Sequence, residues 1–180
     1  MNYVALFRNL NLGHPGSPTA TALVDAFGGP SVASCFQTNG TVVFDADDPE
    51  PLIGQARNTL TARGFHQSFA TRSLTEIASL LNDAPEVDPA ENVYRLMVSF
   101  FDTIDKPQIS VPLRSPDGLV EVRGLYDSHA WSACWKPKNT AGNVTGFLES
   151  LLEVPVTTRT MATLERLARK YGAAGHGNAG

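Results

Sequence analysis

Residues 32–45 read Val-Ala-Ser-Cys-Phe-Gln-Thr-Asn-Gly-Thr-Val-Val-Phe-Asp. Two β-prone runs flank Asn39-Gly40, a dipeptide that favours the positive φ angles of a tight hairpin turn. A hairpin with strands at about 32–37 and 41–45 decides the fold, because the segments on either side can close onto it. Upstream, residues 2–7 carry Tyr3, Val4, Leu6 and Phe7 and read as a buried strand. Gly13, Pro15 and Gly16 then mark a loop. Ser17 is placed to cap a helix beginning at Pro18, with Ala20, Leu23, Val24 and Phe27 on one face. Downstream, Asp47 and Asp48 precede a helix over 50–63, with Leu52, Ile53, Ala56 and Leu60 inward, and residues 65–70 read as a fourth strand.

That order is β-α-β-β-α-β, the ferredoxin-like arrangement of helices packed on one face of an antiparallel sheet. Ser73 and Glu76 form a capping box for a further helix over 73–82. Residues 82–92 are acidic, carry Pro85 and Pro89, and read as a connector.

The second half repeats the plan in element order. A strand is expected at 93–101, and an irregular stretch at 102–118, where Pro107, Pro112 and Pro116 oppose a regular helix. A hairpin follows at 119–123 and 125–135, turning near Gly124. A helix over 143–152, a short strand at 154–158 and a closing helix over 161–171, capped by Thr160, complete the half. No residue-level repeat links the halves in this reading. The expectation is an α+β chain of two ferredoxin-like subdomains. The first with its linking helix spans 1–84, the connector 85–92, the second subdomain 93–172, and a flexible glycine-rich tail 173–180.

Composition narrows the function classes. The chain has 180 residues, 42% hydrophobic and 18% charged, with a net charge of −4, which suits a globular protein of one ordinary or two small domains. The acidic balance supplies no broad basic face for nucleic acid. Neither a signal peptide nor an apolar run near the ~20 residues of a membrane span is visible, so a cytoplasmic protein is expected, with no membrane partner. Cys35 and Cys134 sit in apolar strand-like runs and read as buried thiols rather than a disulfide. His14, His66, His129 and His176 lack metal-ligand spacing, and no nucleophile elbow or Walker loop is present. No catalytic motif, metal or cofactor is therefore expected.

Three segments together resemble a known family. They are Arg8-Asn9-Leu10-Asn11-Leu12-Gly13, then Phe36-Gln37-Thr38-Asn39-Gly40-Thr41-Val42-Val43-Phe44, then Thr157-Thr158-Arg159-Thr160-Met161-Ala162-Thr163-Leu164. Their order and spacing resemble the bacterial family catalogued as domain of unknown function 1697. The resemblance implies two ferredoxin-like subdomains and implies no activity. Asn39 stands where that family usually has Ser, Thr41 and Thr160 where it usually has Asn, and His14 where it usually has a second Gly. Thr keeps a hydroxyl but lacks the two-donor amide.

The candidate ligand-binding residues are Arg8, Asn11, Gly13, Asn39, Thr41 and Arg159. Arg8 and the loop through Ser17 run from a strand end into a helix N-terminus, where backbone N–H groups and a forked guanidinium suit a small anion. A tight turn closed by Asn11 is the plainer reading. Arg159 lies at a second strand-to-helix junction. It either lines a cleft shared with Arg8, if the halves face each other, or pairs with a carboxylate. The expectation is a non-enzymatic binding protein for a small anionic ligand. The alternatives are a small enzyme, or an interaction or nucleic-acid module using His129, Trp131 and Trp135 as a stacking face. Asp45, Asp47, Asp48 and Glu50 read as helix capping.

Overall fold

In the computed structural model, which describes residues 1–104 and 109–172, the chain divides into two compact units. Of the described residues, 1–77 and 167–172 form unit 1, and those within 78–166 form unit 2. Pro107 and the expected tail at 173–180 lie outside the described residues.

Unit 1 holds β1 (Asn2–Phe7), α1 (Ala20–Ala26), β2 (Ala33–Phe36), β3 (Thr41–Asp45), α2 (Pro49–Ala62) and β4 (Phe69–Ser73), after which α3 (Leu74–Asn82) begins. The sheet order is β2-β3-β1-β4, with each neighbouring pair antiparallel. The core follows from strand alternation. Ala5, Phe7, Val42, Phe44 and Phe69 point to one face and meet Leu23, Ala26 and Phe27 from the α1 region and Ile53, Ala56 and Leu60 of α2. The rings of Phe7 and Phe69 lie 4.6 Å apart and those of Phe27 and Phe44 5.0 Å apart, and such pairs add about 0.5–1.5 kcal/mol each beyond area burial.

Several boundaries moved from their sequence positions. The α1 cap is Thr19, whose Oγ1 accepts the Ala22 N–H at 3.1 Å, and Pro18 lies before the helix. Asp48 caps α2 by accepting the Glu50 N–H at 3.2 Å, so that acidic residue acts as a cap. The fourth strand begins at Phe69 rather than 65, held in register by β1 through pairs such as Ala5 with Thr71. The Ser73–Glu76 capping box is present in both directions, at 2.6 and 3.1 Å.

Unit 2 holds β5 (Arg95–Phe100), β6 (Leu113–Arg114), β7 (Val120–Leu125), β8 (His129–Cys134), α4 (Val144–Leu152) and β9 (Thr157–Thr160), and the start of α5 (Met161–Gly172). Its order is β6-β7-β8-β5-β9. Without β6, the sequence of neighbours matches that of unit 1. Among the described residues of 102–118 there is no helix, and β6 stands there instead. Val120, Val122, Ala130 and Cys134 pack with Val144, Leu148, Phe101 and Val156 as the core.

The expected turn near Gly124 is a bulge inside β7, with the register to β8 shifting between Val122 and Gly124. A Cβ on Gly124 would come within 3.0 Å of the Tyr126 ring. The chain reverses three residues further on, between Leu125 and His129. No helix among the described residues is long and apolar enough to cross a membrane.

Candidate functional site

Five of the six candidate residues lie in unit 1, where the segment after β1 crosses the β2–β3 hairpin. The hairpin does not close as a two-residue turn at Asn39-Gly40. Phe36 pairs with Thr41, leaving the four-residue loop 37–40, and the positive φ angles fall at Gln37 (59°) and Gly40 (67°). Tertiary contacts explain the change. Phe7 donates its N–H to the Gly40 carbonyl at 2.8 Å, and Leu12 donates to the Thr38 carbonyl at 2.9 Å. These bonds lash residues 7–12 across the hairpin tip. Leu10 is 3% exposed, and a Cβ on Gly40 would lie 2.7 Å from the Leu10 Cβ. Only glycine tolerates both the angle and the approach.

Arg8 sits half-buried inside this crossing, next to Asn9, which also holds a positive φ of 49°. Asn39 is half-buried, and its Nδ2 donates to Gln37 Oε1 at 3.5 Å. Thr41 is buried beside Leu6. Asn11 and Gly13 are exposed on the outer limb of the loop. Three of the loop's amides are used internally: His14 donates to the Asn11 carbonyl and Ser17 to the His14 carbonyl, while Leu12 serves the hairpin. With α1 only seven residues long and capped by Thr19, the helix N-terminus adds no anion site. Arg8, Asn39 and Thr41 are therefore the candidates the crossing gathers, and Asn11 and Gly13 shape the loop beside them.

Arg159 lies in unit 2, 8% exposed, on the sheet face that carries Val98 and Trp131. Its Nη1 donates to Thr157 Oγ1 at 3.0 Å and to the Thr158 carbonyl at 2.9 Å. Burial pushes its pKa down to about 10. It remains a cation at neutral pH.

A relation missed in the sequence links this turn to unit 1. Residues 71–77 read Thr-Arg-Ser-Leu-Thr-Glu-Ile, and residues 158–164 read Thr-Arg-Thr-Met-Ala-Thr-Leu. In each, the arginine Nη1 donates back to the preceding threonine carbonyl, at 2.7 Å for Arg72 and 2.9 Å for Arg159. The next hydroxyl caps a helix in each: Ser73 accepts from Glu76 N–H, and Thr160 accepts from Thr163 N–H, both at 3.1 Å. Laying the two edge strands side by side would have exposed the signal.

The alternative of a stacking face on Trp131 and Trp135 loses Trp131, which is 1% exposed and offers no ring to a base. Cys35 and Cys134 are free thiols, and burial raises both pKa values. Among the described residues no His, Cys, Asp and Glu cluster has metal-site geometry.

These observations define an α+β protein with two antiparallel sheets and five α-helices among the described residues. The model of a family described as protein of unknown function, DUF1697, matches residues 1–131, and the chain belongs to that family. The match covers the crossing in unit 1 and ends before the Thr157–Leu164 segment. A solved structure of the conserved bacterial protein SP0830 from Streptococcus pneumoniae superposes with a TM-score of 0.61 at 14% identity. It covers 93% of this chain and 97% of that one, a likeness of fold. No curated protein matches.

Proposed function

We propose that the protein is a non-enzymatic binding protein whose ligand is a small anion held at the Arg8 crossing of unit 1. The supporting observation is a control within the molecule. Unit 2 builds the same crossing: Phe101 donates to the Ser128 carbonyl at 3.2 Å and Ile104 to the Asp127 carbonyl at 3.0 Å. There, Asp102 takes the place of Arg8 and Ser128 that of Gly40. None of the described residues 101–104 and 126–128 has a positive φ. The crossing itself thus needs neither an arginine nor left-handed residues. Unit 1 carries both, in Arg8, Asn9 and Gln37, and strained backbone of this kind collects at sites of function. A guanidinium in a strap that crosses a hairpin bearing an amide and a hydroxyl residue suits a phosphate or carboxylate. Arg159, bonded to its own strand, has a structural role in this reading.

The same reading takes both units as ferredoxin-like. The shared strand order and the α1 and α2 helices on one face of unit 1 support it, with β6 replacing the first helix in unit 2.

Thermal unfolding in inorganic phosphate tests the site. At ten times Kd, a bound ion stabilises by about 1.4 kcal/mol, a rise of roughly 3–5 °C for a chain of this size. Arg8→Ala abolishes the rise while keeping the fold. A wild-type protein that phosphate leaves unmoved refutes the assignment.

A further inference from the structure

We propose that unit 2 carries a docking strip for an acidic segment of a partner protein, formed by Tyr94, Arg95, Trp135, Lys136 and Lys138 with Arg114. The strip begins where β5 meets the end of β8. Tyr94 donates its N–H to the Cys134 carbonyl at 2.9 Å, which sets its ring beside Lys136. Tyr94 is 41% exposed, with the Arg95 guanidinium 4.7 Å and the Lys136 ammonium 5.3 Å from its ring centroid. Neither cation, nor Lys138 two residues on, has an acidic partner among the described residues. In a chain of net charge −4, two cations at one exposed ring with a third two residues along the chain, none with a counter-charge among the described residues, form a local reversal of sign.

The adjoining Trp135 shows what such a surface accepts. Its indole N–H donates to the Glu91 carbonyl at 2.9 Å, fixing the ring, and the Arg114 guanidinium lies 4.6 Å from its centroid. The Glu121 carboxylate is gripped between Arg114 and Arg123, at 2.9 and 3.0 Å. Arg114 spends Nε and Nη2 on Glu121, while its side chain remains 53% exposed. Carboxylates already alternate with arginines here, and an incoming carboxylate at Arg95 and Lys136 continues the pattern. Tyr, Trp and Arg are also the residues that dominate binding energy at protein interfaces. Nucleic acid fits less well. The Tyr94 ring is taken up by its own cations, and the chain's net charge repels a dense polyanion at long range.

Fluorescence anisotropy with a fluorescein-labelled dodecapeptide of Glu and Asp, with one Leu in four, tests the strip. The peptide binds the full chain saturably, and binding weakens about tenfold between roughly 0.05 M and 0.3 M NaCl. The variant R95E/K136E/K138E loses at least about tenfold in affinity, the mark of removed charge complementarity. All three side chains are exposed, so its melting temperature stays that of wild type; should it fall, K136Q/K138Q gives the same reading with smaller loss. Arg8→Ala leaves peptide binding unchanged, which separates this strip from the anion site of unit 1. Absence of peptide binding, binding indifferent to these variants, or tighter binding of labelled (dT)12 than of the peptide overturns the proposal.

Discussion

The segment after the first strand crosses the hairpin tip in both units, through Phe7 and Leu12 in one and Phe101 and Ile104 in the other. In unit 2 ordinary residues make the crossing. In unit 1 it is made around Gly40 pressed under Leu10, with Gln37 and Asn9 in the left-handed region and Arg8 between them. The difference separates what the fold requires from what has been added to it. Backbone hydrogen bonds close the crossing in either case, while among the described residues left-handed backbone and a half-buried cation belong to the copy in unit 1.

The largest effect expected from breaking this contrast is at Gly40. Gly40→Ala forces a Cβ to 2.7 Å from Leu10 at a positive φ, and the loss is about 3 kcal/mol in urea unfolding. A loss below about 1 kcal/mol would mean that the strap yields easily, and that the crossing is not held where the contacts place it.

The repeated edge turns give the next contrast. Thr158 Oγ1 meets Ser99 Oγ at 2.8 Å and accepts from Thr145 Oγ1 at 2.9 Å. In unit 1 the matching Thr71 lies opposite Ala5 rather than a serine, and its Oγ1 is buried without a hydrogen-bond partner among the described residues. Thr158→Val therefore strips partners from a buried hydroxyl cluster and costs about 1–3 kcal/mol, while Thr71→Val is neutral or stabilising. Equal losses at the two sites would dissolve the distinction. The reciprocal change, Ala5→Ser, gives Thr71 the partner that Ser99 gives Thr158, and raises the urea midpoint.

A smaller effect sharpens the functional side. Gln37→Gly relieves left-handed strain and stabilises by about 1 kcal/mol. It also loosens the crossing, so the phosphate-dependent rise in Tm shrinks. Stabilisation with phosphate response intact would show the strain to be incidental.

The smallest effect concerns pH and belongs to unit 2. The hydrogen bond from Arg123 holds the Glu91 carboxyl below its ordinary range. Because the folded-state pKa is lowered, the stabilisation is present above the unfolded carboxyl pKa and is lost as pH falls through the lowered value. Glu91→Gln flattens that part of the acid limb below about pH 4.5. An unchanged acid limb would dismiss the pair as a contributor.

Much of the fold was legible in the sequence because it rests on local signals. The Ser73–Glu76 box, the Thr160 cap and the buried apolar run of β1 each appear where the residues place them. What escaped depends on distant contacts. Asn39-Gly40 has the chemistry of a two-residue turn, yet bonds from Phe7 and Leu12 open it to four. Gly124 reads as a turn and is a bulge, since glycine serves both and only strand pairing decides. The candidate site was legible as segments: Arg8 lies in the strap that crosses the hairpin carrying Asn39 and Thr41. For Arg159 the strand-to-helix junction was legible, but not its burial or its bonds to Thr157 and Thr158, since the sequence does not tell which sheet face is covered. The Thr-Arg-Ser and Thr-Arg-Thr repeat was overlooked because only two of its seven positions are identical.

The central claim is that anion binding belongs to the crossing in unit 1 and not to its counterpart. Amide chemical-shift mapping during a phosphate titration reads both crossings at once. The account predicts saturable shifts at Asn9, Leu10, Thr38 and Gly40, with Asp102, Ile104 and Asp127 unmoved. Shifts of equal size in both crossings, or confined to that of unit 2, would contradict it.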